Sequence, residues 1–199
     1  MKFTVFPLVA LALMAVVTFT APAAKAADLE GSKKFIDSMA QRGINFLADP
    51  NLSVDGRKAE FDKLLQTSFD TATIGKFALG TYWKTATPAQ QTEYQKLFKS
   101  MIIEVYSKRF NEYKGQKIQV TGARADGDRD VLVSSTIIPP DGGDSVPVDW
   151  RVRNNKVIDV IVAGVSMAVN QRSDFASVIQ RGGGNVDVLL QHLRTNAGK

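Results

Sequence analysis

The spacing of apolar positions divides residues 28–195 into helices, then strands, then helices again. Apolar side chains three or four residues apart predict an amphipathic helix over residues 28–47, weakened by Gly43, and a second over residues 56–67. One or two short helices are predicted within residues 70–83, ending near Gly80. After the strands, Ser173 predicts a short helix through residue 180, and Asn185 caps a last helix to residue 195.

The longest predicted helix begins at Thr87-Pro88-Ala89-Gln90. Thr87 is a suitable N-cap, Pro88 fits the first helical position, and Gln90 completes a capping box. The helical spacing continues to residue 113, which predicts about six or seven turns. Its main apolar stripe consists of Phe98, Ile102, Tyr106 and Phe110.

The apolar period changes to two after Gly115, which indicates strands over residues 117–123, 130–138, 145–153 and 156–163. Short, turn-rich connections join them, so the sheet is predicted to be antiparallel. The fold class is therefore α+β, a twisted antiparallel sheet of about four strands covered on one face by the helices that precede and follow it. The residues assigned to the covered face are Val120, Val131, Val133, Val148, Trp150, Val160 and Val162, with Gly122 and Ser135 leaving space among them.

The first 26 residues have the layout of a secretory signal peptide. Lys2 precedes an apolar run from Val5 to Phe19, and Ala24-Lys25-Ala26 supplies a small-x-small cleavage site. We expect cleavage near Ala26, with residues 27–199 forming one exported domain that contains no Cys and depends on its hydrophobic core. The removed segment holds two lysines and no acid, so the formal charge falls from +5 to +3. This mild balance excludes the basic footprint of a nucleic-acid-binding protein.

Side chains that carry chemistry are scarce. His192 is the only histidine and lies among leucines with no nucleophile motif, so we interpret it as a partly exposed helix residue. The segment 126–130 resembles the start of a calcium loop, but Val131 and Ile137 stand where Gly and Glu are needed, which favours a hairpin turn. We therefore predict no cofactor, no metal site and no enzymatic activity.

A series of short motifs runs in a fixed order along residues 69–175. They are Phe69-Asp70, Ile74-Gly75-Lys76-Phe77-Ala78-Leu79-Gly80, Trp83, Thr87-Pro88-x-Gln90, Phe98, Tyr106, Tyr113, Val157-Ile158-Asp159-Val160, Gly164-Val165-Ser166 and Asn170-x-Arg172-x-x-Phe175. In this order and spacing they resemble the MlaC (toluene-tolerance auxiliary) family of periplasmic phospholipid-binding proteins. Asn155, Ala163 and Gln171 depart from the residues usual in that family. A hopanoid-associated branch shares the pattern, so a polycyclic lipid is an alternative ligand.

The resemblance implies a sheet similar to that of nuclear transport factor 2, closed by helices, with acyl chains between the two and the headgroup near solvent. It also implies the partners, which are a phospholipid, an inner-membrane ABC transporter with an MCE-domain subunit, and an outer-membrane lipoprotein complex. We expect a monomeric carrier that shuttles lipid between these complexes in the periplasm.

The lipid cavity is predicted between the covered face of the sheet and the stripe of the long helix. A charged residue at Val133 or Val148 is expected to abolish lipid binding and to leave the protein soluble. Arg172 is a candidate contact for a headgroup or partner, although an ion pair with Asp159 or a turn anchor is the structural alternative. Two other functions stay open, an isomerase-like enzyme with Asp159 inside the pocket and a partner-binding module without a ligand.

Overall fold

The computed structural model describes residues 28–196, in which five α-helices precede the sheet. Hydrogen-bonding side chains cap four of them, since Asp28, Ser53, Asp70 and Thr87 each accept a bond from the backbone N–H three residues later. The signal peptide predicted for residues 1–26 lies outside the described residues. The helices are α1 (Leu29–Ala48), α2 (Val54–Ser68), α3 (Thr71–Leu79), α4 (Tyr82–Thr85) and α5 (Pro88–Ser107).

Helix α5 begins as predicted and ends earlier. The capping box is confirmed, because Thr87 Oγ1 lies 3.2 Å from the Gln90 backbone nitrogen and Gln90 Oε1 lies 2.9 Å from that of Thr87. The expected continuation to Tyr113 is wrong, since α5 stops at Ser107 and a 3-10 turn follows over Phe110–Glu112. A 3-10 turn repeats every three residues, so it keeps the aromatic spacing that suggested a longer helix.

The sheet contains β1 (Lys117–Asp126), β2 (Asp130–Ile138), β3 (Val146–Arg153), β4 (Lys156–Val162) and β5 (Val165–Ser166), each antiparallel to its neighbour in sequence. The predicted α+β class is confirmed, and the two-residue β5 is an addition. The hairpin prediction for residues 126–130 is also confirmed. Asn154 and Asn155 have φ of 50° and 55°, the left-handed backbone of a tight two-residue hairpin turn.

Two register shifts change which side chains share a face. One lies between Val120 and Gly122, and the other between Arg151 and Val152. Each shift reverses the alternation on one strand, as a β-bulge does. Val157 therefore pairs with Val152 and is fully buried, although strict alternation had assigned it to the opposite face from Val160.

The last two helices are α6 (Met167–Arg181) and α7 (Val186–Asn196). The prediction that Ser173 starts the first of them is wrong, because Ser166 is the cap and its Oγ accepts a bond of 3.1 Å from the Val169 backbone N–H. The Asn185 cap is confirmed by a 2.9 Å bond from the Asp187 backbone N–H to Asn185 Oδ1.

The buried apolar residues form two separate clusters. The helical core joins α3, α5, α6 and α7, with Tyr94, Phe98 and Phe175 in mutual ring contact. The sheet core joins α1 and α2 to the sheet around residues such as Ile36 and Val133. None of the helices within residues 28–196 has the length and hydropathy needed to cross a bilayer.

Candidate functional site

A cavity of about 540 Å³ lies where the helical core and the sheet core meet. Its wall takes Phe98 from the helical core and Met39 and Leu64 from the sheet core. Packed interiors rarely leave space of this size, and the volume is within the range of roughly 300–1,000 Å³ found for small-molecule pockets. The two cores therefore do not close against each other, and the gap between them is the candidate site.

Three helices present apolar stripes to this cavity. Helix α1 contributes Met39, Gly43 and Leu47, and α5 contributes Phe98, Ile102 and Tyr106, each at a spacing of four residues. Residues spaced by four lie along one face of a helix, so each set forms one continuous wall. Helix α2 adds the wall residues Phe61, Leu64 and Leu65, and the strands add Trp150, Val160 and Val162.

Polar groups line the cavity in two sets. One set follows the end of α5 and consists of Arg109, Glu112, Tyr113 and Gln116, of which Arg109 and Glu112 are exposed to solvent. The other set consists of Thr71, Asp159 and Gln171, and Asp159 is buried. The cavity thus meets water near the end of α5, at an opening that we call the mouth and that is formed by Tyr106, Arg109, Glu112 and Tyr113.

Six of the eleven predicted lining residues lie along this cavity. These are Phe98, Ile102, Tyr106, Trp150, Val160 and Val162. Their contact with a lipid stays a prediction. The structure brings these six together around the gap, because they come from the cavity-facing side of α5 and from β3 and β4.

The structure places the other five elsewhere, which corrects the expected lining. Phe110 packs edge-on against Phe46 and Phe61, with ring centroids 5.9 and 5.5 Å apart. Val131 and Val133 are buried in the sheet core and Val120 packs against it, because α1 lies over β1 and β2 and fills that half of the sheet. Val148 is buried too and is not part of the cavity wall.

Ser135 does not leave space among its neighbours, contrary to expectation. Its hydroxyl accepts a 2.8 Å bond from the Trp150 indole N–H and donates a 2.9 Å bond to the Val148 carbonyl. This chain of bonds satisfies the one polar atom of a tryptophan that otherwise faces an apolar cavity. Ser135 therefore fixes the orientation of Trp150 in the cavity floor.

Comparison with known sequences decides the family. The sequence profile of the family described as MlaC protein matches residues 37–195, which is most of the chain. The chain belongs to the MlaC protein family. The residues that carried the resemblance, from the Phe69-Asp70 pair to Phe175, all fall inside the matched range.

Two MlaC relatives and one solved structure are similar to this chain. The toluene tolerance protein ttg2D of Pseudomonas putida is 27% identical over 151 residues, which are 71% of this chain and 66% of the relative. The intermembrane phospholipid transport system binding protein MlaC of Haemophilus influenzae is 26% identical over 132 residues, 63% of this chain and 61% of the relative. The chain thus matches just under two thirds of the length of both relatives. The phospholipid-binding protein of Ralstonia solanacearum, solved in complex with a phospholipid, superposes with a TM-score of 0.71 at 28% identity, covering 84% of this chain and 97% of that one.

Asp159 borders the cavity, and two hydrogen-bond donors hold its carboxylate. Its carboxylate accepts bonds of 2.7 Å from the Ser166 hydroxyl and 3.1 Å from the Ala168 backbone N–H, and Arg151 Nη1 lies 3.8 Å away. Both carboxylate oxygens therefore tie β4 to the first turn of α6. This arrangement favours an anchor over a free acid in the pocket.

Arg172 does not pair with Asp159, so the expected ion pair is corrected. Its guanidinium lies 5.4 Å from the centroid of the Phe77 ring, in a cation–π contact between α6 and α3. Arg172 is exposed and is not part of the cavity wall, so a headgroup in this cavity would not meet it there. His192 is exposed on α7 and lies outside the cavity wall as well.

The main feature that the sequence missed is the contribution of α1 and α2. The prediction set the sheet against the long helix, whereas α1 and α2 supply much of the wall between them. Gly43 was the available signal, because a glycine on the apolar face of a helix weakens the helix and leaves space beside it that a larger side chain would fill. A Cβ at Gly43 would have nothing nearer than Leu64 Cδ2 at 4.0 Å.

Two ion pairs join α2 to α5 beside the cavity. Lys58 Nζ lies 2.5 Å from Glu104 Oε2, and Lys99 Nζ lies 2.7 Å from Asp62 Oδ1. The hydrogen bond from Lys58 lowers the pKa of Glu104. Partial burial by itself would raise the pKa of Asp62, but hydrogen bonds from Lys99 and Gln66 outweigh it, so that pKa is lowered too.

These lowered pKa values predict a loss of stability in acid. A carboxylate with a lowered pKa in the folded state contributes stability above its ordinary pKa, and the contribution is lost as the pH falls through the folded value. We expect the free energy of unfolding to decline below the ordinary values of 4.5 for Glu104 and 3.8 for Asp62. Urea denaturation between pH 7 and pH 3 measures this decline. Glu104→Gln should make it shallower, whereas the same slope in Glu104→Gln and in the control Glu30→Gln would contradict the assignment.

Proposed function

We propose that this chain is a periplasmic carrier that holds the acyl chains of a phospholipid in the cavity between its two cores. The observation that carries the proposal is the cavity itself, about 540 Å³ in volume and walled mainly by apolar side chains, in a member of the MlaC family. Two similar proteins are named for phospholipid, one as a transport-system binding protein and one in complex with the lipid. Neither they nor ttg2D is named for a hopanoid, so we propose a phospholipid as the ligand.

The physical need for such a carrier follows from the hydrophobic effect. Exposing an acyl chain to water costs about 0.8 kcal/mol per CH₂, so a chain of roughly sixteen carbons faces a penalty on the order of 12 kcal/mol. The apolar stripes of α1, α2 and α5 offer the chain a surface without that penalty, and the mouth leaves the headgroup in water. Binding of this kind requires no bond to be made or broken, so we propose a transport role without enzymatic activity.

The proposed route begins with export by the signal peptide predicted for residues 1–26 and cleavage near Ala26. In the periplasm the carrier would exchange phospholipid between an inner-membrane ABC transporter with an MCE-domain subunit and an outer-membrane lipoprotein complex. The cavity is formed by a single chain, so we expect a monomer to be sufficient.

Delivery of lipid to membranes tests the carrier role. Protein loaded with a fluorescent phospholipid is incubated either with membranes that contain the ABC transporter complex or with protein-free vesicles of the same lipids. We expect the label to move to the transporter-containing membranes faster than it moves spontaneously to the protein-free vesicles. The proposal is wrong if the label leaves the protein no faster with those membranes than in buffer alone.

A further inference from the structure

We infer that the mouth of the cavity recognises a zwitterionic headgroup, with the phosphate bound by Arg109 and a headgroup amine bound by Glu112. This inference rests on the proposed function and specifies the class of phospholipid that the cavity retains. It also replaces Arg172 as the candidate headgroup contact, since Arg172 lies outside the cavity wall and contacts Phe77.

The first support is that two opposite charges border the same cavity without forming an ion pair with each other. Arg109 and Glu112 both line the cavity and both are exposed. Among residues 28–196, no carboxylate lies within 4.0 Å of the Arg109 guanidinium, and no cation lies that close to the Glu112 carboxylate. Both charged groups are therefore available to a ligand.

The second support is that these two residues lie on the same side of the chain. Glu112 ends the 3-10 turn that Arg109 precedes, and its backbone N–H donates a 2.9 Å bond to the Arg109 carbonyl. Side chains three residues apart are eclipsed in a 3-10 turn. The cation and the carboxylate are thus presented together at the point where the apolar wall of Ile102 and Tyr106 ends.

The third support is that hydrogen bonds within the chain hold the backbone of this segment. The Arg109 backbone N–H donates a 3.0 Å bond to the Tyr106 carbonyl. On the other side, Gln116 Nε2 donates a 3.2 Å bond to the Glu112 carbonyl while its Oε1 accepts a 2.7 Å bond from the Lys114 backbone N–H. A mouth whose backbone is held in this way loses little conformational freedom when a ligand binds.

Charge and geometry together favour a headgroup with both signs. A guanidinium presents paired N–H donors that match the oxygens of a phosphate, and a carboxylate accepts bonds from an ammonium group. A lipid whose tails occupy the cavity would place its phosphate at the apolar boundary beside Arg109 and its amine next to Glu112. The phosphate of an anionic lipid without an amine would also bind Arg109. The rest of its headgroup would carry no positive charge to pair with Glu112.

The composition of the lipid that co-purifies with the full chain tests this inference. The protein is recovered from the periplasm of a Gram-negative host, and its bound phosphatidylethanolamine and phosphatidylglycerol are measured against the membranes of the same cells. We expect phosphatidylethanolamine to be enriched about two- to five-fold, a modest preference because both charges are exposed. Glu112→Gln should abolish the enrichment, and Arg109→Gln should lower the amount of both phospholipids. Lys108→Gln, a matched loss of charge outside the cavity wall, should behave as wild type.

Further outcomes separate this inference from the proposed function. Bound phospholipid in the membrane ratio, unchanged by Glu112→Gln and Arg109→Gln, would overturn the inference alone. Folded wild-type protein without any lipid would overturn the proposed function as well.

A competition experiment tests whether the site needs the lipid tails. Soluble phosphoethanolamine is added to loaded protein as a competitor. If it displaces the lipid, the mouth binds small phosphoamines, and the assignment of this site to a lipid headgroup is overturned. Retention of the lipid supports a site that needs the tails as well as the headgroup.

Discussion

Replacing Gly43 with tryptophan is expected to exclude phospholipid from the cavity while the fold remains stable. A Cβ at this position would lie 4.0 Å from Leu64 Cδ2, in ordinary van der Waals contact, and both residues line the cavity. The indole would occupy the volume proposed for an acyl chain. The substitution also removes a glycine from a helix interior, which favours the helix. Bound phospholipid, measured after organic extraction, should fall to background while the melting temperature is unchanged or higher.

Gly43→Ala is the matched control for this experiment. A single methyl group leaves the cavity open, since its nearest neighbour would be 4.0 Å away. Alanine in place of glycine in a helix stabilises by about 0.5–1 kcal/mol. We therefore expect Gly43→Ala to keep its phospholipid and to resist urea better than wild type. Wild-type lipid content in Gly43→Trp would show that the lipid lies somewhere other than between α1 and α2.

The second large effect is expected at Val133, where a substitution should damage the fold and not the lipid site. Val133 is fully buried in the sheet core and does not reach the cavity. Val133→Ala should lower the free energy of unfolding by about 2–3 kcal/mol because it leaves a void, and it should retain phospholipid. Val133→Asp should prevent folding, because it places an unpaired carboxylate in an apolar core. This replaces the expectation that a charge at Val133 abolishes lipid binding and leaves the protein soluble.

Ile102→Asp is the contrasting variant. Ile102 is partly buried on the cavity side of α5, where water can reach a carboxylate once the lipid is absent. We expect this variant to fold and to lose its phospholipid. Urea denaturation and lipid extraction on the Val133 and Ile102 variants give opposite results if the cavity wall is assigned correctly. Loss of lipid in Val133→Ala at full stability would contradict that assignment.

Local sequence signals predicted most of the fold. The capping box at Thr87 and Gln90, the Asn185 cap and the alternating strands all depend on residues close together in the chain, and the structure has them. The family motifs added the class of ligand that we propose. These features are predictable because the residues that interact to form them lie close together in the sequence.

The remaining errors have physical causes that involve distant parts of the chain. The shift between Arg151 and Val152 moves Val157 to the buried face, and nothing in the local alternation reveals a bulge. The start of α6 depends on Ser166, which donates to Asp159 on another element while it caps the helix. Ser173 was an equally good cap from local sequence alone.

The cavity was predicted between the sheet and α5, and the structure adds α1 and α2 to its wall. Its existence depends on tertiary packing, since α1 covers only part of β1 and β2. The gap is bordered by Ile118 and Ile137 at one end of those strands and by residues of β3 and β4. The mouth was missed for a related reason. Arg109 and Glu112 belonged to a helix that was predicted to continue to Tyr113, whereas the structure places them at a 3-10 turn beside the cavity.

Native mass spectrometry of the purified protein tests the central claim most directly. The account predicts that protein recovered from a Gram-negative periplasm carries an adduct with the mass of a phospholipid, and that Gly43→Trp prepared in parallel lacks it. An adduct-free wild-type protein that remains folded, with no phospholipid in its organic extract, would contradict the claim that the space between the two cores holds a lipid.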